Sequence, residues 1–167
     1  FMVVKGFIKN VPYRMEYYLK NVVPTHHDRA LPEEVIGKML TNLNLFPENL
    51  RLIYQHLWCL GRRINEVCTI KGDAYYERDG DTWIRLYQNK MKAEKTVTIS
   101  ATLYELMKAY IRMVHIAPDA YVFQNKNGGA FKTGTFTKQM IAKCKELGIS
   151  CGDYIFRSHD YRHTVST

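Results

Sequence analysis

Between Asp73 and Ser100 the chain changes its period. DAYYERDGDTWIRLYQ carries two strand-like runs around Arg78-Asp79-Gly80-Asp81, and an Asp-Gly pair suits a tight hairpin because both central residues of the favoured turn take positive φ. KMKAEK then reads as a second turn, and TVTIS alternates as a third strand. On both sides of this block the apolar residues recur at helical spacing instead. The order of helices, a small three-stranded antiparallel sheet and further helices predicts a mostly helical α+β domain.

The helices are legible from their stripes and ends. Pro32 suits a first helical turn, and Glu33 and Glu34 are favoured there by the helix dipole. Val35, Ile36, Met39, Leu40 and Leu43 follow at helical spacing. Asn49 is the expected cap of a second helix, with Leu52, Ile53, His56, Leu57 and Leu60 as its apolar stripe and Gly61 as its end. A short helix is expected from about Asn65. Leu103, Leu106, Met107, Tyr110, Ile111 and Val114 predict a helix over 101–116, stopped by Pro118. Tyr121-Val122-Phe123 reads as a short strand and NKNGG as a turn. Thr135 to Leu147 is the next helix, with Gly148 at its C-terminal stop. Ser158 is expected to cap a last helix starting at His159.

Residues 1–28 are mixed in character, with Pro12, Pro24 and the His26-His27 pair. MEYYLKNVV within them reads as a short helix or an extended arm. Lys and Arg number 24 against 16 Asp and Glu, a formal charge of +8. That excess favours a polyanionic partner, since neutralising phosphates releases counterions. Apolar runs are short and broken by charge, so no membrane partner is expected. Lys5 and Lys9 interrupt the apolar start, unlike a signal peptide. Cys59, Cys68, Cys144 and Cys151 form no C-x-x-C pair and have no histidine at zinc spacing, and they read as reduced core residues of a cytoplasmic protein. The leading Phe-Met suggests a piece of a longer protein.

Three segments carry candidate chemistry. Near the C-terminal end, SHDYRHT places His159 and Arg162 three residues apart, with His163 beside them. The same spacing occurs in THHDRA, where His26 and Arg29 sit beside Pro24 in a linker-like stretch, so spacing alone does not select a site. CLGRRINEV places Arg63 three residues before Glu66, a spacing that also suits a surface ion pair. IRLYQNKMKAEKTVTIS sets Lys90, Lys92 and Lys95 on or beside a turn between strands.

In that order these segments resemble the signature boxes of the tyrosine recombinases, the phage-integrase family. CLGRRINEV is similar to the first box, Thr-Gly-x-Arg-x-x-Glu-Leu. Gly61 takes the glycine position and Arg63 the catalytic arginine, with Arg62 as its rival in register. SHDYRHT resembles the second box, His-x-Leu-Arg-His-Thr, with Tyr161 in the leucine position, where an amphipathic core contact is expected. The hairpin between resembles the one carrying the family's lysine.

The resemblance implies site-specific DNA recombination or integration through a covalent phosphotyrosyl intermediate, for a bacterial mobile element. It implies Arg63 and Arg162 as clamps on a phosphodiester, since guanidinium is planar, permanently charged and bidentate. Lys90 would protonate the departing 5′-oxygen, with Lys92 and Lys95 as rivals. His159 would act as general base or as a donor to the phosphate. Glu66 would orient the arginine, and His163 would support the site. No cofactor or metal is implied. The partners implied are double-stranded DNA and further recombinase subunits, as a tetramer on DNA. Residues 1–28 would be a linker or arm from an N-terminal DNA-binding domain. Residues 29–167 would be a catalytic domain incomplete at its C-terminal side, inactive alone because the family's nucleophilic tyrosine follows the second box. The alternatives are a recombinase-like module that binds DNA without cutting it, and a basic RNA-binding or ribosome-associated protein. The last predicts no clustering of Arg63, Lys90, His159 and Arg162.

Overall fold

The computed structural model describes residues 31–89, 91–149 and 154–165. The stretch read as a linker or arm, residues 1–28, lies outside them. In chain order the elements are α1 (Glu33–Asn42), a 3-10 turn (Leu43–Leu45), α2 (Glu48–Leu60), α3 (Ile64–Cys68), β1 (Tyr75–Arg78), β2 (Asp81–Gln88), β3 (Ala93–Thr98), α4 (Ala101–Val114), α5 (Thr133–Glu146) and α6 (Ser158–Val165). The α+β class and the three-stranded antiparallel sheet are as the sequence predicts.

The sheet runs β1-β2-β3, with Tyr75 opposite Ile84 and Ile84 opposite Val97. Asp79 (φ 55°) and Gly80 (φ 84°) make the β1–β2 turn, the two positive-φ positions that the Asp-Gly pair requires. On β2, Ile84 and Leu86 are buried while Trp83, Arg85 and Tyr87 are partly or fully open. This alternation follows from the two-residue period of a strand, and β2 packs its buried side against α3 and α4.

Several ends differ from the expectation. Pro32 is the residue before α1, in extended conformation, and its carbonyl accepts from the Val35 and Ile36 N–H groups at 3.0 and 3.1 Å. Pro47 likewise precedes α2. Asn49 therefore falls inside the first turn, where its Oδ1 accepts from the Leu50 N–H at 2.9 Å. Gly61 ends α2 in the left-handed conformation (φ 56°), as predicted. His115 takes the same conformation and ends α4 before Ile116, while the Ser100 hydroxyl caps its start by accepting from the Leu103 N–H. Helix α5 begins at Thr133 rather than Thr135, and Ser158 belongs to the first turn of α6 rather than standing before it.

Tyr121-Val122-Phe123 is not a strand. Lys71 and Tyr121 form an isolated bridge, and Gln124 and Ala130 another. Asn125 organises the turn between, its Oδ1 accepting from the Asn127 and Gly129 N–H groups. The segment gains backbone bonds to separated partners, including Val122 N–H to Ile70 O at 2.8 Å. Gly72 is needed beside this segment, because a Cβ there would lie 2.4 Å from the Ala117 carbonyl oxygen.

Helix α2 runs through the core. Ile53, Tyr54, His56 and Leu57 are fully enclosed, and α6 and α5 pack against it. Cys68 and Cys144 are buried as expected, but Cys59 is exposed, beyond the enclosed stripe of α2; Cys151 lies outside the described residues. The two ends of the described chain meet: the Leu31 N–H donates to Thr164 Oγ1 at 3.1 Å. Among the described residues no helix is long and apolar enough to cross a membrane.

Candidate functional site

Arg63 is placed by two backbone events in sequence. Gly61 turns the chain out of α2, and Arg63, extended at φ −69° and ψ 138°, precedes α3. Its carbonyl accepts from the Glu66 and Val67 N–H groups at 2.9 and 3.3 Å. One helical turn on, Glu66 Oε1 accepts from Arg63 Nη1 at 3.3 Å. The pair is asymmetric: the Glu66 side chain is 3% exposed and that of Arg63 42%. A carboxylate this enclosed needs a cation beside it, so the acid ties the arginine to the core while the guanidinium stays at the surface. Glu66 Oε2 is sealed from solvent with no hydrogen-bond partner among the described residues.

Arg62, the rival in register, goes elsewhere. Its side chain lines a cavity of about 460 Å³ with Cys59, Trp83, Thr96 and Thr98, against the β2–β3 face. The structure thus joins Arg63, and not Arg62, to the acid of the first segment.

Lys90 lies outside the described residues. Lys92 is exposed in the β2–β3 turn with φ 49°. Lys95 is not on the turn as expected; it lies within β3, opposite Leu86.

Helix α6 carries the second segment. Tyr161 is 1% exposed. Its ring meets those of Tyr54 at 5.1 Å, Phe156 at 5.5 Å and Trp58 at 6.3 Å, the core contact expected of it. With Tyr161 turned into the core, the roughly 100° step per residue puts His159 and Arg162 on one flank of α6, about 60° apart. His159 is exposed and Arg162 half-buried. Of the His163 side chain nothing is described; its backbone belongs to α6. Because Tyr161 packs on Tyr54 and Trp58, α6 lies beside the helix from whose end Arg63 emerges.

Two residues carry structural work that the sequence reading did not assign. Thr164 Oγ1 donates to the Asp160 carbonyl at 3.0 Å and accepts from Leu31. The first contact is readable from i,i+4 spacing; the second spans most of the chain and has no local signal. In the sequence His56 is one member of an apolar stripe. It is fully buried, with Nδ1 2.7 Å from the Leu52 carbonyl and Nε2 2.7 Å from the Tyr75 hydroxyl. A carbonyl can only accept, so Nδ1 carries the proton and Nε2 accepts from the phenol. Burial pushes the His56 pKa down to about 4, so the ring is neutral and structural.

A cavity of about 550 Å³ beside the sheet is lined by Lys71, Asp73, Arg85, Glu94 and Asp119 among others, and Arg63, Glu66, His159 and Arg162 are not among its described lining. Arg85 there is paired with Asp73, Nη2 2.6 Å from Oδ2, and lies 4.0 Å from Glu94. Among the described residues, no three His, Cys, Asp or Glu side chains gather to hold a metal ion.

The profile of the phage integrase family matches residues 29–167. Transposase B from transposon Tn554 of Staphylococcus aureus (strain N315) is 32% identical, over 95% of this chain and 26% of its own length. Transposase B from transposon PsiTn554 of Staphylococcus aureus is 31% identical with the same coverage. The chain therefore spans about a quarter of the length of these curated relatives. Among solved structures, XerH site-specific recombinase in a post-cleavage complex with palindromic difH substrate aligns with a TM-score of 0.66 at 19% identity, over 87% of this chain and 43% of that one. XerA recombinase aligns at 0.63 and 21% identity, over 96% and 56%. A lambda integrase tetramer bound to a Holliday junction aligns at 0.66 and 15% identity, over 97% and 47%. At these identities the structural likeness concerns the fold.

Proposed function

The chain belongs to the phage integrase family, and on that premise we propose that it is part of a tyrosine-type site-specific recombinase that moves a bacterial mobile element. The single observation that carries the reading is the Arg63–Glu66 pair. A buried acid holds a surface guanidinium at the junction of two helices, in the first of two segments that match the family's boxes in order.

The proposed chemistry is in-line attack of a tyrosine hydroxyl on a DNA phosphodiester. The new bond joins the tyrosine oxygen to phosphorus, and the bond to the 5′-oxygen breaks. Arg63 and Arg162 donate to the non-bridging oxygens as charge builds on them, which is commonly the largest catalytic contribution. His159 takes the tyrosine proton or donates to the phosphate. Lys90 gives a proton to the departing 5′-oxygen, with Lys92, in the β2–β3 turn, as the other candidate. Glu66 orients Arg63, and His163 supports the site. The covalent phosphotyrosine conserves the bond energy for religation. In the family the attacking tyrosine follows the second box, so we assign it outside residues 1–167.

Double-stranded DNA is the proposed substrate, and further copies of the recombinase are the proposed partners, in the bacterial cytoplasm. The formal charge of +8 supports a polyanionic partner. Relatives named as transposases support the mobile element, and fold neighbours captured on DNA and as a tetramer on a Holliday junction support the assembly. Convergence of Arg63, Lys90, His159 and Arg162 on one face is part of the proposal, supported by the packing of α6 along α2.

The test is covalent capture on a nicked suicide duplex, read on a denaturing gel. The intact protein forms an adduct, and Arg63→Ala or Arg162→Ala lowers its rate by at least about a hundredfold. Residues 1–167 alone form none. An intact protein that binds the duplex without an adduct is the non-catalytic module instead. An adduct from residues 1–167 places the nucleophile among their own tyrosines.

A further inference from the structure

Three phenols meet where α2, the segment before α6, and α6 itself come together. Tyr54 and Tyr161 are enclosed in the core, and Tyr154 is half-buried. All three hydroxyl oxygens are sealed from solvent; that of Tyr161 interacts with those of Tyr54 and Tyr154, although none of the three makes a hydrogen bond of full geometry among the described residues. They are nonetheless near enough for Tyr161 to perturb the titration of both neighbours, and burial keeps all three protonated at neutral pH by raising their pKa values, those of Tyr54 and Tyr154 to about 12. Sealing polar oxygens in a core is unfavourable unless they find partners. An aliphatic side chain at position 161 would fill the space without that cost, and leucine is the usual residue of the family's second box there. This chain keeps a hydroxyl on the face of α6 that touches α2, one residue before Arg162.

We infer that Tyr161 is a positioning residue: its ring and hydroxyl, held between Tyr54 and Tyr154, set the rotation of α6 about its axis and so the placement of Arg162 and His159. The geometry is direct. Tyr161 is clamped by Tyr54 and Phe156 rings at 5.1 and 5.5 Å. Any roll of α6 that moves this hydroxyl swings the flank bearing Arg162 and His159 by the same angle. A phenol constrains that angle by its planar ring against Tyr54 and Phe156 and by an oxygen enclosed beside two other phenols, whereas leucine constrains it by volume alone. The inference rests on the recombinase reading for its consequence in catalysis, but not for its geometry.

The experiment uses the full-length protein with Tyr161→Phe, Tyr161→Leu, Tyr54→Phe and the Tyr54→Phe/Tyr161→Phe pair. Duplex affinity should be unchanged. The single-turnover rate of adduct formation should fall about tenfold in Tyr161→Phe and up to about a hundredfold in Tyr161→Leu, the scale of a small misplacement of a catalytic group. The double variant should be no slower than Tyr161→Phe, because the two hydroxyls act in one cluster. Independently of catalysis, the Arg162 Nε–H resonance should shift in Tyr161→Phe while that of Arg63 stays. An unchanged Arg162 resonance overturns the inference, whatever happens to the rate. A shifted resonance with an unchanged rate also overturns it, since the hydroxyl then moves the helix without serving the reaction. If the unsubstituted protein forms no adduct, the recombinase reading fails, and the Arg162 resonance still decides whether Tyr161 sets the helix.

Discussion

Glu66 and His56 are the two enclosed polar side chains that organise α2 and α3, and they differ in how readable they are. The i,i+3 spacing from Arg63 to Glu66 exposes their pairing in the sequence. What spacing cannot tell is that the acid is inside and the base outside, or that Arg62 turns to the sheet, because both depend on what α3 packs against. His56 looks like any other stripe residue until Tyr75 is brought to it from β1. Its titration gives a prediction. The unfolded histidine takes a proton near its ordinary pKa of about 6.5, the folded one only near 4. The contribution is therefore complete above about pH 6.5 and is lost progressively as pH falls to 4, amounting to roughly 3 kcal/mol. Urea unfolding of the protein at pH 7 and at pH 4.5 should show this loss. His56→Gln, less stable at pH 7, should lose distinctly less over the same interval. Equal losses in the two proteins would remove His56 as the cause.

At the scale of elements, local chemistry was legible and distant chemistry was not. The Asp79-Gly80 turn and the Gly61 stop are set by positive φ, a demand that only a few residue types meet, so they stand out in the sequence. The start of α2 was misread because Pro47 competes with Asn49 for the same role. Tyr121-Val122-Phe123 has strand composition, yet its backbone groups bond Ile70 and Phe131 across separate loops, and no local pattern encodes that. The α2–α3 junction is the element-level weak point of the site. Gly61→Ala forces a Cβ into the left-handed region at a cost of about 1–2 kcal/mol, and thermal unfolding should register it as a lowered midpoint. Adduct formation by the intact protein should slow as well, because Arg63 lies two residues beyond. An unchanged midpoint would mean that the junction tolerates a side chain at this φ.

For the whole molecule, the order of periodicities was enough to read the α+β class, since each block buries one face against the next. Assembly of the site was not readable to the same degree, because His159 and Arg162 depend on how α6 lies on α2. Charge is a property at this scale too. Duplex affinity should fall about a thousandfold between roughly 50 and 200 mM salt, the loss for about six phosphate contacts, with little dependence on sequence. A filter-binding titration that shows no salt dependence would argue against DNA as the partner. The hydrogen bond from Leu31 to Thr164 has a mechanical meaning. It fastens the first described residue to the helix that bears Arg162, so the start of the described chain and its last helix are joined directly. A change at Leu31 therefore reaches α6 two residues from the arginine, by a route separate from the aromatic packing of α6 on α2.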